Sequence, residues 1–451
     1  MKPYGISTDK LLEVRAREAD RLDSMLTKSK ALHERAKASQ PCGVPMAWMM
    51  GLYEHLPMFV SGASGSYFTD VDGNRYLDMN QADVASFIGY GAHAITDALA
   101  EQASKGASLL LPTEDGIVAT ELLAERSGLP FWQFTATASQ SNMEVIRMAR
   151  VATGREAIVM FEGKYHGHID DTMIIKLDGK LVHEGRGLGK GALPHARIIP
   201  FNDLDALKKV LAAGDVACVI AEPMLTNCNI VYPDDGFWTA ARQMTHDAGA
   251  LLVMDEAHTN SFAYGGLTNL WSIEPDVQVV GKGMGSGFPF SAYGMTRELA
   301  DLCERLLDRD RAGQAGLMIG GTTHASALGL KVARTALESC ITRDAHAHMD
   351  AMGKMLGAGL ERLFKARGLD WRAPNIGGRT GWFLSPQLPR TALEAGYSLD
   401  TDFTVAKRLF MATHGVWEAI SSAGPAAMLS HSAADVEAYL DTADAFLEAV
   451  C

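Results

Sequence analysis

The chain has little that would tie it to nucleic acid, to a membrane or to an oxidising compartment. Its 41 lysines and arginines are outnumbered by 54 aspartates and glutamates, for a formal net charge of −13. Binding a phosphate backbone needs basic patches, so nucleic acid is not expected as the main partner. Six cysteines stand apart at positions 42, 218, 228, 303, 340 and 451, with no C-x-x-C pair. That spacing offers neither a disulfide framework nor a thiolate metal site; no metal is expected, and a reducing, cytoplasmic setting fits. The opening MKPYGISTDKLLEVRAREADRL lacks the apolar core of a signal peptide. No stretch approaches the roughly 18 uninterrupted apolar residues of a membrane span. Internal repeats, low-complexity tracts and proline-rich linkers are missing too.

What is present is an ordinary globular composition, 47% apolar and 21% charged over 451 residues. Such a chain can bury a sizeable core in two domains, or in one large domain with extensions. Residues 8–37 show apolar positions at helical intervals (Leu11, Leu12, Val14, Leu22, Leu26) and predict an amphipathic helix. SGSYFTDVDGNRYLDM (64–79) has the alternation of a hairpin around Asp72-Gly73. From about residue 90, helical stretches (93–106, 115–127, 140–153) alternate with short β-rich runs at 157–161, 217–224, 250–258 and 277–281. Strands separated by helix-length segments predict an α/β fold whose mostly parallel sheet is flanked by helices. A long helical pattern over 323–367, a helix near 401–414 and a closing helix in SAADVEAYLDTADAFLEAV follow. The economical organisation is a large domain at 89–330 and a smaller α+β domain formed by 1–88 together with 331–451.

In an open parallel sheet, ligands sit beyond the carboxyl ends of the strands. The run at 250–254 ends in Asp255-Glu256-Ala257-His258, and the run at 277–281 ends at Lys282, flanked by glycines in VVGKGMGSGFPFSAYG. Upstream, FTATASQSNMEVIRMAR (134–150) is a small-residue turn opening into a helix. Its first N–H groups at Ala138 and Ser139, and the Ser139 hydroxyl, suit an anion such as phosphate. Singly, each feature reads as well as a cap, a salt-bridge partner or a turn lysine. Together they supply a lysine for a Schiff base, a carboxylate for a pyridine nitrogen and an anion site, the needs of pyridoxal 5'-phosphate.

The same motifs resemble those of fold-type I pyridoxal-phosphate (PLP) transferases, specifically the class III aminotransferases and their glutamate-1-semialdehyde 2,1-aminomutase branch. The resemblance runs through GSYFTDVDGNRYLDM, LPTED (111–115), ARVATGREAIVMFEGKYHGHIDD (149–171), VMDEAH and GKGMGSGFPFSAYG, in order and over nearly the whole chain. It implies that Lys282 holds the cofactor as an aldimine and shuttles a proton as general acid and base. It further implies that Asp255 pairs with the pyridine N–H, that Tyr165 stacks on the ring, and that Ala257 lies on the opposite face. His258 stands where relatives often carry a glutamine near the ring hydroxyl. Gly321-Thr322 resembles the segment that reaches the phosphate from a second subunit, which implies a homodimer with shared active sites.

Two departures bear on substrate. The arginine that grips the substrate carboxylate in the semialdehyde enzyme falls on Trp48 or Met49, and a tryptophan cannot replace a bidentate guanidinium. The usual glutamate near the substrate falls on Gly424, with Glu418 nearby. Trp48, Tyr53 and Glu418 are therefore the candidate substrate-pocket residues. The expected reaction is amino transfer between an amine or amino acid and a carbonyl acceptor. Aminomutase, racemase or ammonia-lyase chemistry on a compound other than glutamate-1-semialdehyde is the alternative.

Overall fold

A computed structural model describes residues 2, 4–51, 55–306, 316–397, 399–418 and 424–451. The predicted helix over 8–37 is two helices, α1 (Thr8–Met25) and α2 (Thr27–Ala36), with a break at Leu26. The break is answered by the hairpin. Asp72 accepts from the backbone N–H of Lys28 (2.5 Å) and Ser29 (3.0 Å) and from the Ser29 hydroxyl (2.8 Å). A carboxylate on the first free N–H groups lets the second helix start where it does. The hairpin itself adds β1 (Val60–Ser64), β2 (Tyr67–Asp70) and β3 (Arg75–Asp78), all antiparallel.

The centre of the molecule is a seven-stranded sheet. Its strands are β4 (Phe131–Thr135), β5 (Ala157–Phe161), β6 (Ala196–Ile199), β7 (Val216–Ala221), β8 (Leu251–Glu256), β9 (Val277–Val280) and β10 (Ser291–Met295). Their order across the sheet is β4-β10-β9-β8-β7-β5-β6, parallel except for β10, which runs antiparallel to both neighbours. The central strands are buried end to end, as parallel strands covered on both faces must be. Helix α3 (Ala138–Thr153), which follows β4, packs its Val145, Ile146, Met148 and Ala149 onto one face of the sheet.

The pattern predicted as one helix over 323–367 is interrupted. Helix α4 (Ala327–Thr335) runs into a π-helical turn (Ala336–Cys340), and α5 (Arg343–Ala366) restarts with the Thr342 hydroxyl as its cap. The buried Arg126 guanidinium takes the carbonyls of Leu337 (2.5 Å) and Ile341 (2.9 Å) at the interruption, so they are satisfied outside the helix. The chain then adds α6 (Thr401–Thr413), β11 (Val416–Trp417) and α7 (Ala433–Val450). Strand β11 lies parallel to β3, so the two chain ends share one small sheet, and α1 packs on α6. Leu11, Phe364, Trp371, Trp382, Phe403 and Phe446 belong to the core between these elements.

Candidate active site

Strands β8 and β9 are parallel neighbours in register, Asp255 opposite Val279, so their carboxyl ends open on the same side of the sheet. Lys282 follows β9 by two residues and begins a tight 3-10 turn (Lys282–Gly285) with a left-handed φ of 44°. A Cβ on Gly283 would stand 2.5 Å from the Phe87 ring, so a side chain there would push the turn away from its support. The turn aims the Lys282 amine into a cavity of about 400 Å³, within the range of small-molecule sites.

Asp255, Lys282, Ala138, Ser139, Tyr165, Ala257 and His258 all line this cavity. Asp255 is buried and held on both oxygens: Oδ2 accepts from Asn142 Nδ2 (2.7 Å) and His166 Nδ1 (2.8 Å), and Oδ1 from the Ala257 N–H (3.0 Å). Three donors fix the plane of the carboxylate. His166 therefore carries its proton on Nδ1, and its buried Nε2 has no hydrogen-bond partner among the described residues.

Across the cavity, α3 begins at Ala138 behind Thr137, whose hydroxyl accepts from the Gln140 N–H. Ser139 Oγ accepts from the His168 N–H at 3.1 Å. The strand-to-loop segment presses close here: a Cβ on Gly167, whose φ is 91°, would lie 2.3 Å from that hydroxyl. The result is a helix N-terminus walled by a backbone turn, a geometry that receives anions.

Glu222, at the carboxyl end of β7, also faces the cavity. Burial raises its pKa, against hydrogen bonds from the Thr226 hydroxyl (2.5 Å), the Thr226 N–H (3.1 Å) and the Tyr165 N–H (3.2 Å). Since Thr226 gives its proton to Glu222, it accepts from His258 Nδ1 at 2.8 Å. His258 is thus an Nδ1–H tautomer whose Nε2 lone pair meets Arg379 Nη1 at 3.3 Å. Burial first, then the Lys282 charge, hold His258 well below its ordinary pKa, so it stays neutral. Asp83 Oδ2 accepts from Lys282 Nζ at 2.5 Å. Asn142, His166, Glu222 and Asp83 are site residues that the sequence reading did not single out. Three stood within reach: Glu222 closes a strand as Asp255 does, Asn142 lies one turn past Ser139, and His166 adjoins Tyr165.

The other candidates lie elsewhere. Thr322 is exposed on a surface loop outside the cavity of its own chain. Trp48 is 51% exposed in a short helix (Trp48–Gly51) and does not line the cavity. Tyr53 lies outside the described residues. Glu418 is not in the pocket. It is buried against Lys407 Nζ at 2.6 Å and accepts from the Tyr439 hydroxyl, because α6 and α7 supply a cation and a donor that use both of its oxygens. Among the described residues there is no cluster that could hold a metal ion, and no helix is long and apolar enough to cross a membrane.

Comparison with known proteins gives one consistent outcome. The Aminotransferase class-III family profile matches residues 50–385. A glutamate-1-semialdehyde 2,1-aminomutase of Neisseria gonorrhoeae is 31% identical over 412 residues, covering 89% of this chain and 93% of that protein. The structure of a glutamate-1-semialdehyde-aminomutase from Pseudomonas aeruginosa PAO1, a lysine-to-alanine variant in complex with PMP, superposes with a TM-score of 0.93. It is 30% identical and covers 99% of this chain and 100% of that one. An omega-transaminase from Sphaerobacter thermophilus superposes with a TM-score of 0.84 at 25% identity, covering 93% and 97%.

Proposed function

The chain belongs to the class-III aminotransferase family, and from that premise we propose that the cavity holds pyridoxal phosphate and that the enzyme moves an amino group between an amine or amino acid and a carbonyl acceptor. When bound, pyridoxal phosphate supplies an aldehyde that condenses with amines and a ring that takes up the electron pair left by proton removal. The side chains present fit it. The N–H groups of Ala138 and Ser139 and the Ser139 hydroxyl face the cavity as a phosphate cradle. Asp255, fixed by Asn142 and His166, is placed to accept a pyridinium N–H and hold the proton there. Tyr165 and Ala257 line the cavity as ring-facing groups, and the neutral His258 stands beside them. Lys282 would anchor the cofactor through its amine, and the same amine, when free, would take a proton from the substrate carbon and give it back as general base and acid. Thr322, on its exposed loop, reaches the phosphate of a partner subunit in a homodimer.

The observation that carries this reading is the convergence of the Lys282 amine, the Asp255 carboxylate and the start of α3 on one cavity. Trp48 or Met49 and Gly424, where an arginine and a glutamate would grip glutamate-1-semialdehyde, favour a different amino compound as substrate. The test is a visible spectrum of the protein loaded with pyridoxal phosphate, followed by amines and amino acids added singly without acceptor. Conversion to the amine form of the cofactor identifies a transaminating donor. A persistent band with ammonia or an isomerised product identifies lyase, mutase or racemase chemistry instead. Absence of any band with added cofactor overturns the reading.

A further inference from the structure

The segment that brings Asp83 to Lys282 has an unusual backbone. Gln81, Ala82, Asp83 and Val84 all have positive φ, at 44°, 55°, 55° and 61°. None is glycine, and for such residues the left-handed conformation is costly, because Cβ crowds the following carbonyl oxygen. The four form one left-handed turn, closed by the Val84 N–H on Asn80 O (3.0 Å) and the Ser86 N–H on Gln81 O (3.0 Å). Its entry is fastened by Asp78 Oδ1, which accepts from the N–H groups of Asn80 (2.9 Å) and Gln81 (2.8 Å). Its flank is fastened by Gln81 Nε2 donating to Ser430 Oγ at 2.7 Å. Its exit is fastened by Phe87, fully buried against Gly283 in the lysine turn. A conformation this costly persists only where the surroundings over-determine it. Here they set one carboxylate against one amine.

The charges around the pair are arranged to keep Asp83 ionised. Burial acts to raise its pKa, but the Lys282 charge and hydrogen bond, with the Arg379 charge added, outweigh burial and hold it far below the usual carboxylate range. His258 Nε2 is 3.8 Å from Asp83 Oδ1, and its lone pair is directed to Arg379, so His258 separates the two without neutralising either. Arg379 is fully buried, and its charge acts on Asp83 whatever Lys282 is bonded to. The other ionisable groups of the cavity are Tyr165, His166, Glu222 and Asp255.

We propose that Asp83 is a further catalytic residue, the counter-ion of the Lys282 nitrogen, which fixes the direction of that amine and holds positive charge on it both when free and when joined to the cofactor. The proposal rests on the pyridoxal-phosphate reading and adds to it a group that touches the reacting atom. It also explains why a turn of four left-handed residues is kept in this place: moving it by one residue would replace the carboxylate with Ala82 or Val84.

The test compares the wild type, Asp83→Asn and Asp83→Glu, each loaded with pyridoxal phosphate, by titrating the visible absorption band from acid to alkaline pH. A negative charge stabilises the protonated nitrogen, so its removal moves the midpoint down. The expected fall in Asp83→Asn is about 1 unit or more, the usual effect of losing an opposite charge at this distance. Asp83→Glu keeps the charge and is expected to recover at least half of the shift. All other groups named above are common to the three proteins, so the difference isolates Asp83. Asparagine adopts the left-handed region readily, and Asp83→Ala, matching Ala82 beside it, provides a second neutral variant should the first fold poorly. Equal midpoints in the wild type and the neutral variants would mean that the contact belongs only to the cofactor-free chain, and would overturn the proposal. A wild type that shows no band at all fails the cofactor reading instead, so the two failures are told apart.

Discussion

Among the lysine–carboxylate pairs of this molecule, Lys282 with Asp83 at 2.5 Å and Lys407 with Glu418 at 2.6 Å make an instructive contrast. Their surroundings differ. In the first pair Lys282 lines the cavity, and the side chains are 27% and 32% exposed, while in the second they are 8% and 3% exposed. Lys407 lies over the Trp382 ring at 4.6 Å, and Glu418 also accepts from the Tyr439 hydroxyl, which in turn accepts from Trp382 Nε1 at 3.0 Å. Burial lowers the pKa of Lys407, and Glu418 only partly restores it. One pair is partly open to solvent. The other is enclosed in aromatic packing, where neither charge has water to turn to. The same two functional groups are available for chemistry in one place and closed into the packing in the other because of what encloses them.

The largest expected effect separates the pairs most cleanly. Lys282→Ala abolishes turnover in the donor assay above, while thermal unfolding shows a loss of stability below about 1 kcal/mol, as for a partly exposed ion pair. An active alanine variant would remove Lys282 from the mechanism. Lys407→Met is expected to do the reverse. Cofactor spectra of the folded protein stay as in the wild type, but stability falls by about 3–5 kcal/mol because Glu418 is left buried without its cation. Replacing both members, Lys407→Met with Glu418→Gln, recovers most of that loss. If the single variant were as stable as the wild type, the claim that enclosure distinguishes the pairs would fail.

The next effect is read by pH and concerns another fully buried group. His431 is fully buried; its Nδ1 accepts from the Met428 N–H (2.9 Å) and its Nε2–H donates to Asp78 O (3.1 Å). Burial first, against the nearby Asp435, pushes its pKa from 6.5 down to about 4. In that window the unfolded chain binds the proton and the folded chain does not, so folding loses stability as pH falls through it. The full difference is about 3 kcal/mol. Urea unfolding of the wild type and of His431→Gln across this range measures it: the gap between them narrows as the solution is made acid. A pH-independent gap would show that His431 titrates alike in both states.

The sequence made the central sheet and the lysine site legible for a physical reason. Parallel strands buried on both faces are short, unbroken apolar runs, and the β5 range Ala157–Phe161 coincides with the run AIVMF. Residues that close such runs must stand at the carboxyl edge, so Asp255 and Lys282 could be placed before any coordinates. Glu222 obeys the same rule and was readable in principle. Asp83 was not, since a left-handed turn built from Gln, Ala, Asp and Val carries none of the glycines that usually announce one. Glu418 misled in the opposite sense. Nothing in its spacing says that Lys407 and Tyr439, on helices before and after it, converge on its two oxygens. The breaks at Leu26 and after Thr335 were equally hidden, because Asp72 and Arg126, which satisfy the interrupted backbone, come from distant segments.

The smallest effect asks how the enclosed pair is shared among its neighbours. The Tyr439 hydroxyl links Glu418 to Trp382, so Tyr439→Phe removes one donor from the carboxylate and one acceptor from the indole while leaving the ring and its packing in place. A hydrogen bond to a charged group is worth about 1.5–3 kcal/mol. The loss is expected at the lower end, because Lys407 stays to hold the charge of Glu418. In the Lys407→Met background the same substitution should cost more, since the tyrosine is then the last donor on that carboxylate. A double-mutant cycle by urea unfolding measures the difference. Coupling would establish that α6 and α7 are joined through one network around Glu418. Strict additivity would reduce the tyrosine to a packing residue and leave the lysine alone responsible for the contrast with the cavity pair.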